Sequence, residues 1–302
     1  LGANQRNLVW SGVTLSEGDH ALERRLVDIA GKANTFSMDY TLVNDGPTTT
    51  VDGVALSADT GVAGDLITRI SSQTITATLS AALASGEKLF GSSNGGVSWV
   101  DLTRKVSGTS LTWQKARLVD GDQTIQFKIQ GASGAWSEVS ETQYVLDRTA
   151  PAVAISGLAL SDDSGLSGTD LVTNVAAQTV TGVLSRALAD GESLQVSQDG
   201  GVSWTDATAS VSGTDLTLTD VTLADGRNTL QFRVIDTAAN TSAVASMVIT
   251  LDTDAPTNGV QAGTIHISND TDTAGDFVTY AVAQTVTARL ASALSGGERL
   301  MG

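Results

Sequence analysis

From residue 178 to 184 apolar and polar positions alternate one for one, with Val180, Gly182 and Leu184 on one side and Thr179 and Thr181 on the other. The alternation recurs at Ile75, Ala77 and Leu79, interleaved with Thr74, Thr76 and Thr78. A period of two marks a strand with one face buried. Leu230, Phe232 and Val234 make a second case, with Gln231 and Arg233 outward, matched by Ile125, Phe127 and Ile129 with Gln126 and Lys128 outward. No stretch carries a sustained 3.6-residue stripe. The pattern predicts strands near 152–159, 178–185, 192–198, 202–206, 214–221, 227–236 and 242–251.

These strands belong to a repeating unit. Asp170, Gln178, Gly191 and Trp204 fall on Asp65, Gln73, Gly86 and Trp99 when shifted back by 105 positions, and the unit returns at Asp276, Gln284 and Gly297. The only prolines, Pro47, Pro151 and Pro256, stand at one point of the period. A fixed period defines a tandem array. It divides the chain into whole units at 47–150 and 151–255, a partial unit at 1–46 matching a C-terminal half, and a partial unit at 256–302 matching an N-terminal half. In the first of these, Leu8, Trp10, Val13, Leu15 and Gly18 answer to Leu216, Leu218, Val221, Leu223 and Gly226, and Asn44 ends the ungapped match. Leu1 thus opens inside a repeat, as expected of a segment of a longer polypeptide. Seven short strands in about a hundred residues fit an immunoglobulin-like sandwich. The expected fold is all-β, with tandem immunoglobulin-like β-sandwich repeats in an elongated array. Arg24 takes the place of Phe232, and an inward Arg is costly unless it snorkels.

Turn chemistry agrees with this frame. Asp190-Gly191, Asp199-Gly200 and Asp225-Gly226 separate predicted strands and favour the positive backbone angles of tight hairpins. The linkers Leu146-Asp-Arg-Thr-Ala-Pro151 and Leu251-Asp-Thr-Asp-Ala-Pro256 are short and end in a proline, which makes them stiff.

Composition narrows the partners. The chain holds 33 acidic and 17 basic residues, a net charge of −16. That balance argues against nucleic acid, whose binding needs clustered positive charge, and against an anionic membrane surface. It suits divalent cations or plain solubility. There is no cysteine, so disulfides and thiolate metal sites are excluded. No apolar run is long enough to cross a bilayer as a helix.

The feature able to carry chemistry is an acidic loop after the first strand of each unit: Asp59 leading to Asp65, Asp163 to Asp170, and Asp270 to Asp276. In a seven-strand sandwich this loop lies at the exit end, beside the linker carboxylates Asp147, Asp252 and Asp254, so Asp163, Asp170, Asp252 and Asp254 can converge on one junction. Calcium takes six to eight oxygens from such carboxylates, carbonyls and water. The alternative is that these residues form Asx-turns and caps, and the sequence leaves both open. The Asp236–Asn240 turn falls at the entry end, beside the preceding linker, but its earlier copy, Gln130 to Ser133, lacks the carboxylate.

Other strings have structural readings. Ser197-Gln-Asp199-Gly-Gly201-Val-Ser-Trp204, with its copy Ser92 to Trp99, fits an Asp-box hairpin, but at a spacing far from propeller blades. Gly91-Ser-Ser93-Asn-Gly95 matches a nucleophile-elbow string without the strand-to-helix context that chemistry needs. His20 and His266 sit at unrelated repeat positions. Asn240-Thr-Ser and Asn269-Asp-Thr are glycosylation strings whose meaning depends on the host. No constellation of an active site emerges, and the chain is expected to be non-catalytic.

Taken together, the Leu-Asp-x-x-Ala-Pro linker, the Asp-Thr-Gly or Asp-Ser-Gly loop with its following Asp, the Asp-Gly-Gly-x-x-Trp hairpin and the Asp-x-Ala-x-Asn turn resemble the bacterial immunoglobulin-like repeats of very large secreted surface adhesins. The resemblance implies a type I-secreted or cell-surface protein in which many repeats hold a terminal binding domain away from the cell, with calcium stiffening the junctions. It further implies neighbouring repeats as direct partners, and cell-surface or matrix ligands met through other domains. The alternatives are that these modules bind a glycan or host ligand themselves, with Trp113 and Trp136 as candidates, or serve a surface hydrolase as accessory modules. Asn94 in place of Asp, Asn44-Asp-Gly-Pro47 in place of the usual linker, and Lys32 in place of the turn Asn depart from the pattern.

Overall fold

A computed structural model describes residues 9, 11–42, 45–165, 167–295 and 297–301. Leu8, Trp10 and Asn44 lie outside the described residues. The chain folds into two β-sandwiches in tandem, flanked by smaller β elements.

In the first sandwich one sheet has the order Val51–Leu56, Ser72–Leu79, Ser110–Arg117, Val106–Ser107. The facing sheet runs Ile67–Thr68, Ser140–Leu146, Gly121–Gln130, Lys88–Ser92, Val100–Asp101. The second sandwich repeats this order with Ile155–Leu160, Ala177–Leu184, Asp215–Thr222, Val211–Ser212, and with Val172–Thr173, Ala245–Leu251, Gly226–Ile235, Ser193–Ser197, Thr205–Asp206. The alternating positions do what their period requires. Ile75, Ala77, Leu79, Ile125, Phe127 and Ile129 are buried in one core, and Val180, Leu184, Leu230, Phe232 and Val234 in the other. The two clusters share no member, so each sandwich buries its own apolar face.

Three differences from the expected strands have local causes. The first strand of the second sandwich starts at Ile155 rather than 152, since the Ala154 N–H is taken by the Ser185 hydroxyl (3.0 Å). The strand expected at 202–206 shrinks to Thr205–Asp206 because the hairpin turn occupies the preceding residues. Val172–Thr173, pairing in parallel with Ala245–Leu251, is too short to show a period.

Toward the N-terminus, Gly18–Val27 pairs with Ala33–Leu42 as an antiparallel hairpin. Arg24 lies opposite Phe36, and both are exposed. The burial cost expected of an inward Arg therefore does not arise. Toward the C-terminus, His266–Ile267 pairs with Val286–Thr287.

Candidate functional site

The first strand of each sandwich is split between its sheets. After Leu56 the chain leaves one sheet, and at Ile67 it joins the other, parallel to Ser140–Leu146. The acidic loop is this crossover, so it lies against the last strand where that strand enters the linker. Asp147 N–H donates to Thr68 O, and Asp252 N–H to Thr173 O, both at 2.9 Å.

A glutamine ties each crossover down, buried at Gln73 and Gln178 and half-buried at Gln284. Gln73 Oε1 accepts from Ser57 Oγ (3.0 Å) and Ala58 N (2.9 Å), while its Nε2 donates to the carbonyls of Ala58 (3.0 Å) and Ile70 (2.7 Å). Gln178 repeats the set with Ser161, Asp162 and Val175, and Gln284 with Ser268, Asn269 and Ala281. Thr68, Thr173 and Thr279 add hydroxyl donors to the carbonyls of Ala58, Asp162 and Asn269. In the sequence these glutamines mark only a position of the period. Their signal was there: a polar residue at the inward register of an apolar strand, kept in each copy. The next residue after the second Asp, namely Leu66, Leu171 or Phe277, sits at φ 60°, 61° and 61°, a left-handed conformation that large side chains rarely adopt.

Eight of the nine candidate carboxylates, all but Asp254, cap a backbone N–H. Asp65 accepts from Ile67, Asp170 from Val172, Asp276 from Val278, Asp147 from Thr149 and Asp252 from Asp254. Asp59 Oδ2 accepts from Gly64 (2.7 Å), Asp163 Oδ2 from Leu171 (3.0 Å) and Asp270 Oδ2 from Gly275 (2.6 Å). The second oxygen of these three differs from all the others. Oδ1 of Asp59, of Asp163 and of Asp270 is buried and has no hydrogen-bond partner. A buried carboxylate oxygen left unpaired is costly, and the same atom is orphaned in three copies of the loop. A carboxylate oxygen is the kind of ligand that a hard cation takes.

The carboxylates gather unevenly. Asp170, Asp252 and Asp254 line one cavity together with Glu298 and Arg299, while Asp163 points into its own loop. Asp65 lines a groove with Asp122, separate from the one that Asp122 shares with Asp147. Among the described residues no three acidic or histidine side chains stand close enough to hold a metal by themselves, so a cation here draws its remaining ligands from carbonyls and water.

At the joint between the sandwiches the crossover meets the next unit directly. Thr60 Oγ1 donates to Ala238 O (2.6 Å), and Arg69 Nη1 donates to Ala239 O. A Cβ on Gly61 would stand 2.0 Å from Thr237 O. From the other side Asn240 Nδ2 donates to Asp147 O (2.9 Å) and to Asp236 Oδ2 (3.0 Å). The structure thus brings the Asp236–Asn240 turn against the preceding linker.

The remaining strings are occupied structurally. Asp199 accepts from Ser197 Oγ (2.7 Å), Val202 N (3.0 Å), and Ser203 N (2.9 Å) and Oγ (2.5 Å). These bonds, the Ser203 hydroxyl foremost, hold its carboxyl well below the usual range. Ser93 Oγ donates to Arg117 O, and His20 Nε2 bonds Glu17 O. Asn240 is buried and engaged. Trp113 belongs to the core, whereas Trp136 is 44% exposed. Lys128 Nζ stands 4.0 Å from the Trp99 ring centroid and 4.5 Å from that of Trp136, and so covers a face of each.

Residues 149–253 match the family described as Bacterial Ig-like domain. That segment coincides with the second sandwich and its entering linker. A comparison with curated proteins finds no match. Among solved structures the chain is similar to the FN1–FN3 domains of chicken CNTN1, at 8% identity over 76% of this chain and 77% of that one, TM-score 0.35. It is also similar to a Ca2+-stabilized adhesin of an Antarctic bacterium, at 17% identity over 78% of this chain and 57% of that one, TM-score 0.34. A third likeness is to fibronectin(III)-like modules of Clostridium thermocellum CbhA, at 12% identity over 66% and 94%, TM-score 0.36.

Proposed function

We propose that this chain is a non-catalytic spacer, part of an extracellular bacterial adhesin, in which immunoglobulin-like units set length and the joints set stiffness. The observation that carries this reading is the joint itself: two sandwiches of one design, each with its own core, meet end to end through a short linker with their loops in hydrogen-bond contact. Stability then adds unit by unit while length scales with copy number. The bacterial Ig-like match of residues 149–253 supports the same reading.

Calcium is the cation we assign to the crossovers. Asp59, Asp163 and Asp270 would hold it through their orphaned oxygens, each inside its own crossover, with Asp65, Asp170 and Asp276 six or seven residues on in the same loop. A ligand that binds only the folded state raises the melting temperature in proportion to RT ln(1 + [L]/Kd). The expected outcome is a higher melting temperature in calcium than in chelator, with the increment lost progressively in Asp59→Asn, Asp163→Asn and Asp270→Asn. Identical melting in both solutions removes the cation and leaves the spacer standing. Extension and recoil of the chain between tethered ends, measured with tweezers, tests the spacer: a compliance no lower than that of a flexible polypeptide would refute it.

A further inference from the structure

We infer that the joint between the sandwich ending at Leu146 and the one beginning at Val153 is closed by the chain's own cation, Arg69, and needs no metal ion. The inference rests on the spacer reading only in that both sandwiches belong to one array. It starts from the turn at 236–240. Ala239 has φ 65°, and the turn offers the carbonyls of Ala238 and Ala239 to the preceding unit. Two successive backbone carbonyls facing a carboxylate-bearing loop are oxygen ligands of the kind a hard cation takes. Here both are already taken, Ala238 O by the Thr60 hydroxyl and Ala239 O by the Arg69 guanidinium. Arg remains charged at any pH a protein survives, and its planar fork loses little freedom per bond. Thr60 Oγ1 also accepts from Arg69 N–H (3.0 Å), so the two donors are fixed relative to each other before they meet the turn.

Steric fit restricts the contact further. Gly61 passes so near Thr237 O that any side chain would separate the units. Its counterpart in the partial C-terminal unit is Asp272, and the positions answering to Arg69 are Asn174 and Tyr280. The guanidinium is therefore particular to this joint. Where the second sandwich meets the residues that follow it, Asp170, Asp252, Asp254 and Glu298 surround one cavity instead. Arg299 lines the same cavity, but among the described residues no hydrogen bond carries it across to the second sandwich as Arg69 is carried to Ala239.

The chain has no cysteine, so nitroxide labels can be placed cleanly at Ser107→Cys and Ser212→Cys, exposed and equivalent positions in the two sandwiches. Pulsed electron spin resonance on the full chain should give one narrow distance peak, unchanged between calcium and chelator. Arg69→Ala should lose that peak to a broad distribution, Thr60→Val should do so in part, and Arg69→Lys should recover some of the order. Because Arg69 is exposed, the core should be intact, which an unaltered tryptophan fluorescence spectrum and melting temperature would verify. A narrow peak retained in both Arg69→Ala and Thr60→Val, or a wild-type peak that broadens in chelator, overturns the inference. Failure of calcium to raise the melting temperature sinks the cation reading alone and leaves this latch untouched.

Discussion

Asp199 shows what a single carboxylate does for a turn. Both oxygens accept from the turn it closes, whereas Asn94 in the earlier copy accepts through one oxygen and must donate through its amide, to Ser98 Oγ (2.9 Å). The Asp carboxyl is held below its ordinary 3.8 by the Ser203 hydroxyl, then by the Ser203 N–H and the Ser197 hydroxyl. The sign of the consequence follows. As pH falls the unfolded chain takes up its proton first, so the contribution is complete above about pH 5 and drains away as acid carries the folded carboxyl through its own lower value. Wild type should therefore lose more thermal stability between mildly and strongly acidic buffers than Asp199→Asn does. Parallel losses in the two proteins would show that the carboxylate contributes nothing beyond what an amide gives. At this scale the sequence was legible where chemistry is local: Asp, Gly and Trp at hairpin spacing announced the turn. Gln73 and Gln178 were not legible as clamps, because the groups they bind lie across the crossover and become neighbours only when the strand switches sheets.

Between elements the two sandwiches reach the same packing by different means. Gly91 sits under Leu102, Trp113 and Phe127, and a Cβ there would fall 2.4 Å from Leu102 Cδ1. The corresponding positions in the second sandwich hold Val196 for Gly91 and Leu218 for Trp113. A large ring on one sheet is thus matched by a missing side chain on the other, while the second copy shares the volume between two medium residues. Interiors are packed like crystals, so one change without the other misfits. Gly91→Val should destabilise the first sandwich by about 1–3 kcal/mol through overpacking. Trp113→Leu in the same chain should return part of that loss, giving a coupling of roughly 1 kcal/mol in a double-mutant cycle by urea denaturation. Simple additivity of the two substitutions would contradict the packing account. The strands themselves were readable from alternation, because burial of one face imposes the period. Val172–Thr173 escaped notice since two residues carry no period, yet that short parallel pairing places the acidic loop beside the linker.

Over the whole molecule charge is distributed unevenly. Residues 151–255 carry thirteen acidic and three basic side chains, residues 47–150 ten and eight. Self-repulsion weakens a compact state and salt screens it. Raising ionic strength from low to physiological should therefore slow hydrogen exchange more in Ala177–Leu184 and Gly226–Ile235 than in Ser72–Leu79 and Gly121–Gln130. An equal response in both sandwiches would mean that fixed local bonds, such as Arg186 with Glu192 at 2.7 Å, already neutralise the excess. Period, strand faces, turns and linkers were all determined by the sequence alone, because each is written in residues close along the chain. Which loop meets which was decided only by the tertiary structure. Arg69 and Ala239 lie 170 positions apart, Thr60 and Ala238 178, and no local pattern relates them. The chain brings them together because a strand that changes sheets carries its loop to the end of one sandwich where the next begins.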